Sequence, residues 1–218
     1  MATLLHIDSS VSPHGASVSR SVTETFRKVW EQQHPDGTVI YRDLAACPVP
    51  HFTADSCAAE PTHSRLHTPE QSFAATIRRR LIEELEDADA ILIGAPMHNY
   101  TIPSTLKAWI DNVVLFGRTV GAGSTITGTP TTVVTSRGLS YAPGTPDEGH
   151  EYVQNYLNVI LGHAMRLDVD FIVPEFTYAP HDPAMAALLP LFEWSRDRAM
   201  KEAEARAKTA GVRSTADA

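Results

Sequence analysis

Five short apolar runs, separated by segments with a helical pattern, constrain the fold of this 218-residue chain more than any other feature. Most of the runs are continuously apolar rather than alternating, as expected for parallel strands that are covered on both faces. Regular alternation of strands and helices predicts an α/β fold with a doubly wound parallel sheet. The predicted strands are 3–8, 38–43, 90–96, 131–137 and 168–175, and the predicted helices are 17–33, 69–87, 103–117, 148–161 and 183–209.

The length of the chain favours a single domain, which we expect at 1–211, with a frayed tail at 212–218. Pro190 lies inside the last helical segment and should kink or split it, because proline has no backbone N–H to donate. Two segments, 44–68 and 120–132, fit neither the strand pattern nor the helical pattern. The first is predicted to be functional, partly helical or a lid, and the second to be a connector or a short hairpin.

Composition argues against several classes of function. The formal net charge of −8 disfavours duplex DNA or an anionic membrane as the main partner, since both select basic surfaces. No run approaches the roughly 20 apolar residues of a membrane span and no signal-peptide pattern is present, so we expect a cytoplasmic protein. Cys47 and Cys57 form no CxxC pair and are predicted to be free thiols. His51, His63 and His67 share one irregular segment without a repeated ligand spacing, so no metal site is predicted.

A cluster of serines follows the first predicted strand, at Ser9, Ser10, Ser12, Ser17 and Ser19. Their hydroxyls and the N-terminal amides of the next helix can converge on one point, which would make a phosphate site from neutral donors. Neither a Gly-x-Gly-x-x-Gly nor a Walker A pattern is present, which disfavours dinucleotides and nucleoside triphosphates. The alternative is a serine-rich loop in which one hydroxyl only caps the helix.

Two more polar loops follow the third and fourth predicted strands. The loop at 94–103 offers His98, Asn99 and Tyr100 between prolines, which suits holding a planar cofactor better than attacking a substrate. The other begins with Ser136-Arg137-Gly138, where glycine permits close approach of the backbone. Each loop alone could be an ordinary turn. If the strand order is 2-1-3-4-5, all three loops lie at the carboxyl edge of the sheet. Together they predict a phosphate-bearing, planar cofactor across the top of the sheet.

The three loops, in this order, resemble those of the FMN-dependent NADH-azoreductase family, which are flavodoxin-like quinone and azo reductases. The most specific part is Ala95-Pro96-Met97-His98-Asn99-Tyr100 with the helix that follows it. The resemblance implies a flavodoxin-like, doubly wound five-stranded parallel sheet in the order 2-1-3-4-5, with helices on both faces. It also implies bound FMN, NADH or NADPH as electron donor, a small quinoid or azo-aromatic acceptor, and ping-pong hydride transfer. The family further implies a homodimer with its sites at the subunit interface.

The family pattern also implies a set of site residues. The FMN phosphate would lie on Ser10, Ser17, Val18 and Ser19, the isoalloxazine ring on Pro96, Met97, His98, Asn99 and Tyr100, and the pyrimidine end on Ser136, Arg137, Gly138 and Leu139. Because the flavin would carry the redox chemistry, the reaction needs no dedicated acid or base; His98 and Tyr141 are the candidate catalytic residues, as proton donors to the acceptor. Each of the two could equally well only shape the pocket.

The chain departs from the family pattern in ways that affect the acceptor more than FMN. Leu139 and Phe176 each stand where a glycine is common, His98 and Tyr100 replace a tyrosine and a phenylalanine, and the stretch after Thr119 lacks a longer aromatic insert. Two alternatives therefore stay open: a reductase specialised for flavin or for one conjugated substrate, and a flavodoxin-like electron carrier without its own substrate. An acyl hydrolase is disfavoured, because no Gly-x-Ser-x-Gly elbow is present.

Overall fold

One parallel sheet forms the centre of the protein, whose computed structural model describes residues 1–13, 15–60 and 63–211. The strands are β1 (Thr3–Asp8), β2 (Thr38–Asp43), β3 (Ala90–Gly94), β4 (Pro130–Val134) and β5 (Asp168–Ile172). They are hydrogen-bonded in the order β2-β1-β3-β4-β5 and every neighbouring pair is parallel, which confirms the predicted flavodoxin-like sheet. The last three strands end earlier than predicted, because the chain beyond them bends into loops at the carboxyl edge. The predicted frayed tail at 212–218 lies outside the described residues.

Helices cover both faces of this sheet. The longer ones are α1 (Val18–Gln33), α3 (Pro69–Glu86), α4 (Ser104–Val113) and α6 (Leu189–Ala207), and the shorter ones are α2 (Ala54–Ala59) and α5 (Val153–Leu157). A π-helical segment, Asn158–Ala164, continues α5, and 3-10 turns form at Ser64–Leu66 and Pro183–Leu188. The irregular segment 44–68 is thus partly helical. The segment 120–132 consists of turns up to residue 129 and continues as the first three residues of β4.

Two predictions about helix ends have opposite outcomes. The predicted split at Pro190 is confirmed: a 3-10 turn precedes α6, and Pro190 lies in the first turn of α6, where its missing N–H costs no hydrogen bond. The predicted end of α4 at Gly117 is wrong, because the helix already ends at Val113. The buried Thr119 hydroxyl donates to the Val113 carbonyl oxygen at 2.5 Å and accepts the Leu115 N–H at 2.9 Å, which turns the chain away from the helix.

The strand side chains pack into two separate apolar layers. On β1, Leu5 and Ile7 pack with α3, α4 and α5 on one face of the sheet, whereas Leu4 packs with α1 and α6 on the other. Trp109 fills the first layer and Trp30 the second, and both side chains are buried. Since both faces are covered by apolar residues, polar groups gather at the carboxyl edge of the sheet.

The surface bears on three expectations from the sequence. Cys47 and Cys57 are unpaired and exposed, which confirms the predicted free thiols. Within the described ranges, no helix has both the length and the apolar character to cross a membrane. In the same ranges, no group of three or more His, Cys, Asp or Glu side chains is arranged to hold a metal ion.

Leu92, in the central strand β3, offers a test of this packing because its side chain is completely buried (0% exposed). Leu92→Ala should lower the free energy of unfolding by about 2–5 kcal/mol, since it leaves a cavity in the layer shared with α1 and α6. The matched control is Leu66→Ala, at a side chain that is 75% exposed, which should change the free energy of unfolding by less than about 0.5 kcal/mol. Urea unfolding measures both variants, and equal losses would contradict this packing.

Candidate functional site

The serine side chains converge at the start of α1. Ser17 caps the helix by accepting the Arg20 N–H at 3.3 Å, and its Oγ donates to Ser10 Oγ at 2.9 Å. Ser19 Oγ lies 3.1 Å from Ser17 Oγ, and all three serines are buried. Ser17 is therefore both the N-cap of α1 and the centre of a three-hydroxyl cluster.

The hydroxyl cluster of Ser10, Ser17 and Ser19 lies where the field of the backbone favours an anion. No acidic residue occurs in the first turn of α1, which is 16 residues long, so no carboxylate in that turn offsets the positive end of its dipole. Helix N-termini with nearby hydroxyl donors are common sites for phosphate groups. The cluster is thus suited to bind an anion through neutral hydroxyl and backbone donors.

The loop after β3 contains a tight and strained turn. His98 N–H donates to Thr101 O at 2.7 Å, and Thr101 N–H donates to His98 O at 3.0 Å. Between them, Asn99 (φ 48°) and Tyr100 (φ 68°) both adopt the left-handed backbone conformation. Asparagine tolerates this conformation, whereas it costs a residue such as tyrosine about 1–2 kcal/mol. The turn holds His98 on a backbone that has little freedom to move.

Backbone hydrogen bonds join this loop to its neighbours. Met97 N–H donates to Ser136 O at 2.8 Å, which ties the loop after β3 to the loop after β4. Arg137 N–H donates to Pro174 O at 3.0 Å and Thr177 N–H donates to Arg137 O at 3.2 Å, which adds the loop after β5. The loops after β3, β4 and β5 therefore form one continuous surface.

The guanidinium of Arg137 forms an ion pair and a hydrogen bond with neighbouring side chains. It pairs with Glu175 (Nε to Oε1 3.1 Å, Nη2 to Oε1 3.0 Å) and donates to Gln154 at 3.3 Å. It also lies 5.4 Å from the centre of the Tyr141 ring. Arg137 thus braces the loop after β4 through its side chain.

The loops after β1, β3, β4 and β5 enclose a cleft of about 250 Å³ at the carboxyl edge of the sheet. The predicted site residues that line it are Ser10, Ser17, Val18, Pro96, Met97, His98, Ser136 and Gly138. These residues come from all three loops that the sequence singled out. The structure therefore brings the serine cluster, the turn after β3 and the loop after β4 to one place.

The other predicted site residues lie around this cleft rather than in its lining. Ser19 supports Ser17 from within the hydroxyl cluster. Asn99 lines a neighbouring cleft of about 520 Å³, which His98 also lines. The remaining predicted residues, Tyr100, Arg137, Leu139 and Tyr141, line neither of these two clefts.

Five further residues line the cleft without having been predicted: Ser12, Ala16, Thr177, Tyr178 and His181. Three of them lie after β5. The strand order could have predicted these three residues, because the loop after the fifth strand must lie beside the loop after the fourth.

The Tyr178 ring packs directly against Gly138. A Cβ atom added to Gly138 would lie 2.2 Å from the ring, so no other residue fits at 138 while the ring stays in place. The space beside this glycine is thus filled by an aromatic wall of the cleft. Phe176 has φ 59°, a left-handed conformation that favours glycine, in the bend that leads to Tyr178.

The two candidate proton donors, His98 and Tyr141, are both uncharged at neutral pH. Burial lowers the pKa of His98 below its usual value, so its imidazole is neutral at pH 7. Burial, with a further contribution from the Asp147 carboxylate, raises the pKa of Tyr141, so its phenol keeps its proton. The Tyr141 ring also meets the Tyr100 ring edge to face, with centroids 6.4 Å apart. Tyr141 therefore lies beside the strained turn that carries His98.

Two crystal structures resemble the fold closely. The azoreductase from Bacillus anthracis strain Sterne has a TM-score of 0.81 and 21% identity, covering 96% of this chain and 100% of that one. An FMN-dependent NADH-azoreductase from B. anthracis strain Ames Ancestor, in complex with FMN, has a TM-score of 0.77 and 20% identity, covering 95% and 100%. At these identities the likeness concerns the fold alone.

Sequence comparisons reach further than the fold. The family model described as flavodoxin-like fold matches residues 2–189. A protein of Streptomyces coelicolor named FMN-dependent NADH:quinone oxidoreductase is 62% identical over 217 residues, covering 100% of this chain and 99% of the relative. A protein of the same name from Streptomyces avermitilis is 62% identical over 209 residues, covering 95% and 96%. The chain therefore belongs to the flavodoxin-like family, within which its full-length relatives carry the name FMN-dependent NADH:quinone oxidoreductase.

Proposed function

We propose that this chain is an FMN-dependent NAD(P)H oxidoreductase that reduces quinones or azo compounds by ping-pong hydride transfer through bound FMN. The observation that carries the proposal is the cleft of about 250 Å³, which joins the hydroxyl cluster at the start of α1 to the turn after β3. The names of the relatives at 62% identity support the same cofactor and acceptor class. Those names also make NADH the first choice of donor, with NADPH as the alternative.

The phosphate end of the cleft suits the phosphate ester of FMN. Ser17 Oγ lies 2.9 Å from Ser10 Oγ and 3.1 Å from Ser19 Oγ. Val18 is the first residue of α1 and lies beside them in the chain. Charge stabilisation by the helix N-terminus is worth about 0.3–2 kcal/mol, depending on burial. Neutral donors of this kind allow a chain with net charge −8 to bind an anion.

The flat part of the cofactor would lie against the loops after β3 and β4. We assign to it Pro96, Met97, His98, Asn99 and Tyr100 and, at the pyrimidine end, Ser136, Arg137, Gly138 and Leu139. Pro96, Met97, His98, Ser136 and Gly138 line the cleft, and the other four lie next to them in the same two loops. Bound FMN supplies the hydride chemistry, while the protein supplies orientation and electrostatics.

His98 and Tyr141 are the residues that we propose as proton donors to the acceptor. His98 lines both clefts, so its neutral imidazole can form a hydrogen bond with an acceptor in either one. Tyr141 holds its proton at Oη, beside the guanidinium of Arg137, which lies over its ring. A positioned acid of this kind contributes about 10²–10⁴ to a rate.

We also propose a homodimer with its sites at the subunit interface. The groove between α2 and α3 has a volume of about 400 Å³ and is lined by Pro50, Phe73 and Ile77, of which Phe73 is 65% exposed. Exposed apolar surface in a groove is typical of protein contacts, and a second copy of the chain would bury it.

A cytoplasmic location is supported by the exposed thiols Cys47 and Cys57, since free thiols persist in reducing compartments.

The purified protein should bind FMN, and NADH should bleach the bound FMN in the absence of oxygen. Addition of 1,4-benzoquinone or an azo dye should then restore the flavin absorbance, because the acceptor takes the hydride. Absorbance spectra at each stage measure uptake, reduction and reoxidation. Failure to bind FMN would overturn the proposed function, whereas bound FMN that neither NADH nor NADPH bleaches would favour the electron carrier.

The amide of Asn99 can be separated from its backbone strain with two variants. Asn99→Ala removes the amide and adds strain at φ 48°, while Asn99→Gly removes the amide and relieves the strain. If the amide binds the ring, both variants should raise the dissociation constant for FMN by about five- to tenfold, the value of one hydrogen bond. Fluorescence titration measures the constants. Wild-type affinity for FMN in Asn99→Gly would show that the Asn99 amide does not bind the ring and that only the backbone conformation at this position affects FMN binding.

Replacing Tyr141 with Phe should slow reoxidation of the reduced protein by a quinone by about 100-fold, without slowing its reduction by NADH. Because the pKa of Tyr141 is raised above its usual value near 10, the wild-type reoxidation rate should stay constant from about pH 7 to 9. Stopped-flow absorbance measures the two half-reactions separately, with the exposed Tyr152→Phe as the matched control. Equal reoxidation rates in the two variants would remove Tyr141 as the donor.

A further inference from the structure

Arg20 contacts the hydroxyl cluster from behind. It lies in the first turn of α1, is only 4% exposed, and does not line the cleft. Its Nη2 donates to the carbonyl oxygen of Ser10 at 2.7 Å, and its backbone N–H donates to Ser17 Oγ at 3.3 Å. One residue therefore holds the backbone of Ser10 and the hydroxyl of Ser17, whose Oγ atoms are 2.9 Å apart.

The guanidinium of Arg20 is itself held in place by Asp43, the last residue of β2. Nη1 donates to Asp43 Oδ2 at 2.9 Å and Nη2 to Asp43 Oδ1 at 2.8 Å, a forked contact with both oxygens. The hydrogen bonds from Arg20 hold the pKa of Asp43 below its usual range, so the pair stays charged at neutral pH. Asp43 Oδ1 also accepts the Ala45 N–H at 3.0 Å, which ties the loop after β2 to the same point.

A second carboxylate completes the support. Asp8 Oδ2 lies 3.6 Å from Arg20 Nη1 and accepts the Tyr41 hydroxyl at 3.1 Å. Asp8 Oδ1 accepts the Thr23 hydroxyl at 3.0 Å, so both oxygens of this buried carboxylate are engaged. Arg20 Nη1 also donates to Tyr41 Oη at 3.3 Å. The guanidinium is thus fixed by Asp8, Tyr41 and Asp43, none of which lines the cleft, and the two carboxylates offset its charge.

We propose that Arg20 is a positioning residue for the phosphate end of the cleft, which holds the Ser10 and Ser17 hydroxyls at the spacing that a phosphate monoester requires. The inference rests on the proposed function, because it takes FMN as the ligand of the cleft. Arg20 does not touch the phosphate: its Nη atoms are engaged by Asp43, Tyr41 and the Ser10 carbonyl. It acts on the ligand through the two serines.

Comparing FMN with riboflavin separates this role from a general structural one. Riboflavin has the same ring and lacks the phosphate, so damage to the fold weakens both ligands, whereas misplaced serines weaken FMN alone. Arg20→Met should raise the dissociation constant for FMN by about tenfold or more and that for riboflavin by less than about twofold. Fluorescence titration of the apoprotein with each flavin measures the ratio. The control is Arg198→Met, an exposed arginine of α6 that pairs with Glu202 at 3.7 Å, which should leave the ratio unchanged.

Two conservative variants keep the test decisive if Arg20→Met does not fold. Arg20→Lys keeps the charge but cannot reproduce the fork, so its affinity for FMN should stay about fivefold or more below wild type. Asp43→Asn should shift the ratio in the same direction, because it loosens the guanidinium. A wild-type ratio in Arg20→Lys would show that charge alone suffices and would overturn positioning, as would a wild-type ratio in Asp43→Asn. If the wild-type protein binds neither flavin, the proposed function itself fails.

Discussion

Every strand of a parallel sheet delivers its carboxyl end to the same edge, and this constraint decides where polar chemistry can gather in the protein. The apolar layers around Trp109 and Trp30 occupy both faces of the sheet, which leaves that edge for buried polar groups. Asp8, the last residue of β1, is the clearest case. Its buried carboxylate fits because its neighbour Gly94 has no side chain, and a Cβ there would lie 2.5 Å from Asp8 Oδ1.

The hydrogen-bonding pattern of the sheet continues past the ends of the strands into the loops of the site. Ala95 N–H donates to Val134 O and Thr135 N–H donates to Ile172 O, both at 2.9 Å, one residue beyond the strands themselves. The floor of the cleft is therefore an extension of the sheet rather than a set of independent loops. Strain at Tyr100 is tolerated because this framework, with the two hydrogen bonds of its turn, holds the loop in one conformation.

The features that the sequence predicted well are those set by neighbours in the chain. The bounds of β1 and β2, the start of α1 next to Ser17 and the break at Pro190 all follow from local patterns of apolar residues, caps and proline. The three loops were found for the same reason, since each directly follows an apolar run. Their common location then followed from the strand order, which the family resemblance supplied.

The features that escaped prediction depend on contacts between distant parts of the chain or on a single local side chain. The end of α4 is decided by one hydroxyl, that of Thr119, which no periodicity reveals. The role of Arg20 depends on Asp43, which lies on another strand, so the spacing of serines in the first loop gives no sign of it. Tyr178 lines the cleft two residues after the left-handed backbone at Phe176, a conformation that phenylalanine as a residue type does not predict.

The packing of Tyr178 on Gly138 also couples these two positions in evolution. Any side chain at position 138 would collide with the ring in its present place, so a larger residue there requires that the exposed Tyr178 ring is lost or turns away. Changes at 178 meet no such barrier, because they only remove atoms from the wall of the cleft. The geometry therefore favours one order of mutation: the shape of the cleft can change through residue 178 without a clash, whereas a change at residue 138 also requires movement or loss of the ring.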